Sequence, residues 1–354
     1  MRRPATLPTW EEIQAIAAEH DIQHLGVAPA DVLERARAAL LERKAAGLHN
    51  EMGFTYRNPE RSTDPQRAVE RARTIIVAAR PYRSVDEPER PGGAQARIAR
   101  YAWVDHYAPL RRGLQEIVGR IRRADHRAVA FADDNSVVDR EVAYLGGLGW
   151  FGKNANILVP GAGSFFVLGS IITTAEFSVS EPVADGCGSC RRCLDGCPTG
   201  AIVAPGVVDA NKCLAWLVQK PGTFPVEFRE VLGDRLYGCD DCQEVCPPSM
   251  RLGDKHRIEL TDSPGEPVQA WVDVLDLLEA TDDELIAAYG RWYLADRDPV
   301  WWRRNALIVL GNVGERVDDR TRRVLARYRS HDDEILREHA DWATQRLVTR
   351  ATTS

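Results

Sequence analysis

The sequence predicts an α+β multidomain protein with an N-terminal α/β domain over residues 1–180, a cysteine-rich module over 181–252 and an all-helical tail over 253–354. Three observations carry this reading. Short β-branched apolar runs alternate with longer helical patterns up to about residue 180. All eight cysteines then fall between residues 187 and 246, among many Gly, Pro and Asp residues. Beyond Pro248 the strand patterns stop, and apolar residues recur at three-to-four-residue spacing. With 354 residues, 44% hydrophobic and 28% charged, the chain has the composition of an ordinary globular protein of two or three domains, which excludes a disordered or collagen-like chain.

Taken in order, Thr9 followed by Glu12 forms a capping box, and Ile13, Ile16 and Ala17 continue an apolar stripe, so a helix opens the first domain. The runs 74–78, 128–132, 165–168 and 170–172 predict strands, and 110–121 and 137–145 predict helices. In the tail, 271–278, 283–289, 301–310, 320–328 and 334–347 predict helices. Short helix pairs joined by brief polar turns fit a small HEAT-like solenoid. No stretch approaches the roughly 18–20 apolar residues that a membrane helix needs, and Met1-Arg2-Arg3-Pro4 leads into a polar pattern without an apolar signal core. The expectation is a cytoplasmic protein with no membrane partner, and a reducing compartment argues against disulfides.

Cys187, Cys190, Cys193 and Cys197-Pro198 form C-x2-C-x2-C-x3-C-P, and Cys213 with Cys239, Cys242 and Cys246-Pro247 forms C…C-x2-C-x3-C-P. The first is the bacterial ferredoxin run, in which the fourth cysteine ligates the other cluster of a two-cluster module. Cys187, Cys190, Cys193 and Cys246 are therefore assigned to one [4Fe–4S] cluster, and Cys197, Cys213, Cys239 and Cys242 to the other. Zinc also takes C-x2-C pairs, but its sites use two ligand pairs rather than a four-cysteine run ending in proline. The module reads as an electron conduit.

Three further features carry weaker chemistry. Residues 147–154, Gly-Leu-Gly-Trp-Phe-Gly-Lys-Asn, nearly match a phosphate-binding loop, but Asn154 occupies the Ser/Thr position and a helical pattern precedes the loop. A backbone pressed against a large flat ligand, or a plain tight turn, fits better. Asp133 ends the apolar run 128–132, where α/β folds place catalytic groups, and a carboxyl in a poorly solvated pocket can hold a proton near neutral pH. Asp133-Asp134-Asn135-Ser136 equally suits a helix N-cap, and on the residues alone capping is favoured. Residues 291–329 carry ten arginines against five acidic residues, a local balance of +5 in a chain of net charge -6. With Trp292, Trp301 and Trp302 nearby, this segment is either a phosphate-neutralising face or a solvated helix face.

The string from Gly233 to Pro247, Gly-Asp-Arg-Leu-Tyr-Gly-Cys-Asp-Asp-Cys-Gln-Glu-Val-Cys-Pro, closely resembles a signature of the epoxyqueuosine reductases. Glu51-Met52 with Arg57, Arg100-Tyr101-Ala102, residues 147–154, and Arg304-Asn305-Ala306 through Gly311-Asn312 resemble further landmarks of that family in the same order. The resemblance spans nearly the whole chain.

It implies a cobalamin, as cob(II)alamin, between the N-terminal domain and the two-cluster module, with HEAT-like helices that help bind tRNA. It also implies reduction of epoxyqueuosine to queuosine at the wobble position of a queuosine-type anticodon loop, by a monomer fed from an external low-potential electron donor. Asp133 would be the proton donor, and Arg57, Arg100, Asp133, Ile157, Leu168, Ala215, Gly222, Asp240 and Asp241 would border the cobalamin. Two alternatives stand beside this reading: a corrinoid and iron–sulfur reductase of a small molecule, akin to reductive dehalogenases, and a plain iron–sulfur electron-transfer protein.

Overall fold

The structure is a computed structural model that describes residues 5–251, 256–260, 267–314 and 318–353. Met1-Arg2-Arg3-Pro4, Glu315 and Arg316, on which parts of the terminus and charge readings fall, lie outside the described residues. The chain divides into two compact units, each assembled from separated segments. Met1–Val85, Asp105–Ala210 and Asp241–Leu260 form the first, and Asp86–Val104, Asn211–Asp240 and Thr261–Ser354 form the second.

The first unit is built on a four-stranded sheet in the order His24–Pro29, Thr74–Pro81, Phe166–Thr173, Ala128–Ala132, with every neighbouring pair antiparallel. Strands and helices alternate along the chain without producing parallel crossovers, so this unit is α+β in architecture. Thr74–Pro81 is buried at all positions, as a central strand covered on both faces requires. Alternation along it sends Ile75, Val77 and Ala79 into an apolar cluster with Val142, Ala143, Leu148, Ile157 and Ile172. The other face receives helix Tyr107–Arg123 through its stripe Leu110, Leu114, Ile117, Val118 and Ile121.

The runs expected as two strands at 165–168 and 170–172 form one strand, Phe166–Thr173. Gly169 does not interrupt it. A Cβ there would stand 2.7 Å from Leu114 Cδ1, so the glycine marks where the helix comes closest to the sheet. The helix expected from 137 begins at Asp139, with Val138 at the cap and no side-chain cap bond, which corrects the capping reading of the Asp133 segment. Asp134 instead closes a local turn, its Oδ1 accepting from Ser136 N at 2.7 Å.

In the second unit, Arg235–Tyr237 pairs parallel and Trp271–Asp273 antiparallel with Gln95–Ile98. Strand structure therefore continues past Pro248, against expectation. Asp273 must be extended to act as an N-cap, and its side chain accepts from Leu275 N and Asp276 N to start helix Val274–Glu279. Helices Asp282–Tyr289, Val300–Val313, Asp319–Arg329 and Glu334–Thr353 follow. Thr281 and Glu284 form a capping box on the first of these. Trp302 and every residue from Arg304 to Gly311 are buried, which makes Val300–Val313 the central helix of its unit. Among the described residues no helix is long and apolar enough to cross a membrane.

Candidate active site and cluster ligands

Asp133 sits one residue past the strand Ala128–Ala132 in the left-handed region, φ 55°, a conformation Asp tolerates better than most residues. The residue is exposed overall, and partial burial of its carboxyl raises the pKa, with Asp105 and Asp134 adding to the rise and the Arg111 guanidinium opposing it. Arg111 also approaches Asp105 to 3.8 Å and stands 5.6 Å from the Tyr107 ring. A cavity of about 120 Å³ opens beside this strand end, lined by Arg111, Leu114, Gln115, Phe131 and Asp134 among others.

Two neighbours of Asp133 escaped the sequence reading. Asp139 Oδ1 is shut off from solvent with no hydrogen-bond partner, and burial, then the nearby Asp133, hold this carboxyl well above the usual range. Tyr107 is pushed up for the same two reasons, burial first and Asp133 second. Nothing in the local sequence pattern marks either residue, because the effect of Asp133 on them depends on a helix start and a strand end meeting in space.

Of the other residues expected to border a cofactor, Ile157 and Leu168 share one apolar cluster with Phe131, Phe151 and Phe166, on the sheet face to which Phe131 of the Asp133 strand points. Partly buried aromatic and aliphatic surface beside a carboxyl of raised pKa fits a broad apolar macrocycle. Arg57 is exposed at the end of helix Gly53–Tyr56, and Asp241 is buried at the start of Asp241–Glu244. Arg100, Ala215, Gly222 and Asp240 belong to the second unit. There Asp240 accepts from Arg100 N at 2.7 Å and faces Arg100 Nη1 at 3.6 Å, and both line a cavity of about 310 Å³ with Trp103, Cys239 and Trp271. Ala215 lies in helix Leu214–Leu217, and Gly222 adopts φ 90°.

All eight cysteines are free thiols. Cys187, Cys190, Cys193 and Cys246 lie in the first unit near one another. Burial first, and then the neighbouring thiols, raise Cys193 through Cys246, Cys187 and Cys190, and raise Cys246 through Cys187 and Cys190. Cys246 is buried against Trp150 and Leu158, with Cys187 packed on the same cluster. Of the second set, Cys197 and Cys242 belong to the first unit and Cys213 and Cys239 to the second.

The cysteine runs are tied to the sheet domain by buried polar bonds. Gln243 Oε1 accepts from Tyr82 Oη at 3.2 Å and Ser164 Oγ at 2.9 Å, and Ser249 Oγ accepts from Ser164 N at 3.1 Å. The loop 147–154 contributes too. Lys153 Nζ donates to Gly188 O at 2.7 Å and Cys190 O at 2.9 Å, and Asn154 Nδ2 donates to Cys242 O at 3.2 Å. Its glycines admit protein rather than a flat ligand, since a Cβ on Gly147 would meet Glu181 O at 2.5 Å and one on Gly149 would meet Leu158 O at 2.1 Å.

The arginine-rich tail is largely spent on its own unit. Arg304 is fully buried and donates to the carbonyls of Leu217, Val218, Lys220 and Gly222 at 2.6–3.3 Å. Burial pushes its pKa down to about 9, which leaves it charged at neutral pH. Arg303 pairs with Asp282, Arg320 with Asp276 and Glu279, Arg322 with Asp319, and Arg329 with Asp341. Arg291 and Arg327 donate to backbone carbonyls. Among the described arginines of this segment, Arg297 and Arg323 are the exposed ones without such a partner.

These features define an iron–sulfur oxidoreductase, a two-cluster ferredoxin module joined to an α+β domain with an acid at a strand end. Residues 186–249 match the model for a 4Fe-4S double cluster binding domain, and residues 62–134 match that of "Epoxyqueuosine reductase QueG, DUF1730". An epoxyqueuosine reductase of Lactococcus garvieae (strain Lg2) is 34% identical over 311 residues, 86% of this chain and 87% of its own. The chain belongs to the epoxyqueuosine reductase family and carries iron–sulfur clusters. A crystal structure of epoxyqueuosine reductase with an epoxyqueuosine-modified tRNA-Tyr stem loop matches with TM-score 0.84 and 29% identity, covering 95% of this chain and 89% of that one. A Bacillus subtilis epoxyqueuosine reductase with its catalytic Asp loop swung out of the active site matches with TM-score 0.84 and 28% identity, covering 95% and 90%.

Proposed function

We propose that this protein reduces epoxyqueuosine to queuosine at the wobble position of tRNA, with cobalamin bound beside Asp133, Asp133 as proton donor, and electrons delivered through two [4Fe–4S] clusters. The observation that carries the reading is the raised pKa of Asp133 at the strand end, beside the apolar surface of Phe131, Phe151, Phe166, Ile157 and Leu168. Cobalamin, when bound, supplies a strongly reducing metal centre able to open an epoxide. Arg57, Arg100, Ile157, Leu168, Ala215, Gly222, Asp240 and Asp241 are proposed to hold it. Asp133 keeps a proton on its carboxyl above the usual carboxylate range and gives it to the oxygen that leaves carbon as the ring opens. Asp139 and Tyr107 are the buried titratable groups beside that acid, each raised by burial first and by Asp133 second.

Cys197, Cys213, Cys239 and Cys242 are proposed to hold the second cluster by the same cross-pairing as the first. The finer organisation belongs to this reading as well: a cofactor domain over 1–180, a ferredoxin module over 181–252, and HEAT-like helices over 253–354 that contact a queuosine-type anticodon loop. It includes a cytoplasmic monomer served by an external low-potential donor.

The test is anaerobic reconstitution followed by nucleoside analysis of tRNA carrying epoxyqueuosine. About eight irons and one cobalamin per chain are expected, with conversion to queuosine and an Asp133→Asn variant slower by about 10²-fold or more. Absence of conversion by fully loaded wild-type protein overturns the reading.

A further inference from the structure

We infer that the edge of the first cluster at Cys190 is the port where electrons enter, and that the cations around it dock a one-electron carrier protein with an acidic surface. Of the four thiols grouped at this cluster, Cys246 is buried, Cys187 and Cys193 are half-buried, and Cys190 is exposed. Because electron transfer falls off steeply with distance, a carrier must approach at the thin side, and Cys190 is that side.

Among the described residues, three cations lie along this edge without a carboxylate partner. Lys153 Nζ is held by the carbonyls of Gly188 and Cys190, within the cluster loop itself. Lys153 O accepts from Gly206 N at 2.9 Å, and Gly206 O accepts from Arg43 Nη2 at 2.8 Å, which places Arg43 on the same surface. Arg192, exposed between two cluster cysteines, makes no ion pair. Carbonyl acceptors position Lys153 and Arg43 but leave their full charge to the solvent. Of the nearby acids, Asp195 is paired with Arg191 at 3.4 Å, whereas Asp185 accepts from Cys187 N at 2.8 Å and keeps its charge, so the rim stays net positive.

A positive rim around an exposed redox centre attracts a carrier whose own cofactor is ringed by carboxylates, and it raises the association rate at low salt. Each encounter moves one electron. The carrier is oxidised, the cluster held by Cys187, Cys190, Cys193 and Cys246 is reduced, and no bond or proton changes. The inference rests on the clusters alone and not on the identity of the final substrate.

The experiment uses the cluster-loaded protein and a reduced plant-type [2Fe–2S] ferredoxin as an acidic probe, with stopped-flow detection of cluster reduction. Calorimetric titration with oxidised ferredoxin gives affinity without turnover. For wild type the second-order rate should fall at least fivefold between 0.05 and 0.5 M salt, by roughly the loss of steering that screening produces. Arg192→Glu, with iron content and cluster spectrum unchanged, should slow ferredoxin at least about fivefold at low salt and weaken its binding. Reduction by the methyl viologen radical cation should not slow. A wild-type rate insensitive to salt, an Arg192→Glu rate equal to wild type, or equal slowing with both reductants overturns the inference. So does a charge reversal that weakens tRNA binding while leaving ferredoxin untouched, because the rim would then be an RNA surface.

Discussion

Replacing Arg304 by Met tests whether the arginines of the tail are structural. The guanidinium is fully buried and supplies the hydrogen bonds to the carbonyls of Leu217, Val218, Lys220 and Gly222. Methionine follows the same path through the core and offers no donor. A buried carbonyl that loses its donor costs about 1–3 kcal/mol. Val218 O keeps Asn305 Nδ2 at 2.8 Å, so at the low end the bonds lost at the other three carbonyls cost about 3 kcal/mol. At about 2–4 °C per kcal/mol for a unit of this size, Arg304→Met should lower the melting temperature by about 6–12 °C. The loosened segment follows Cys213, which caps helix Leu214–Leu217, so iron content should fall with it. Arg323→Met, at an exposed position without a partner, should shift the melting temperature by about 1 °C or less. Differential scanning of the two variants side by side decides the matter. If Arg304→Met melts within 1 °C of wild type, the reasoning from buried carbonyls fails.

Two further substitutions probe titrating groups. His339 accepts from Phe224 N through Nε2, and burial followed by the charge of Arg229 lowers its pKa from 6.5 to about 4. Its contribution to stability is therefore complete above about pH 6.5 and lost as pH falls through 4, by about 3 kcal/mol in all. Denaturant melts of wild type against His339→Gln across pH 4–7 should show a slope in wild type that the variant loses, and parallel slopes would contradict the assignment. Asp139 has a raised carboxyl pKa, so its contribution is complete below the ordinary carboxylate value and lost as pH rises above it. Asp139→Asn should flatten the loss of stability between pH 5 and 8. Denaturant melts of Asp139→Asn whose pH dependence runs parallel to that of wild type would contradict this assignment.

Residues adjacent in the chain determined much of this protein. Ligand intervals at Cys187, Cys190, Cys193 and Cys197 specify the ferredoxin run because two- and three-residue gaps set how thiolates wrap a cluster. The capping boxes at Thr9 and Thr281 and the strand at 128–132 are likewise short-range, resting on local bonds and a two-residue period. Three outcomes needed the tertiary structure. Trp271–Asp273 is a strand because Gln95–Ile98 lies beside it, a partner no local window contains. The positive balance of residues 291–329 looks like a free surface until Asp276, Glu279, Asp282 and Asp341 approach it from other helices. Asp133 could cap a helix or hold a proton by sequence alone. The second is favoured because Val138, not Asp133, caps the helix and because burial, Asp105 and Asp134 raise the Asp133 carboxyl pKa. Ligand spacing and periodicity are properties of neighbours in sequence, whereas desolvation and charge compensation are properties of neighbours in space.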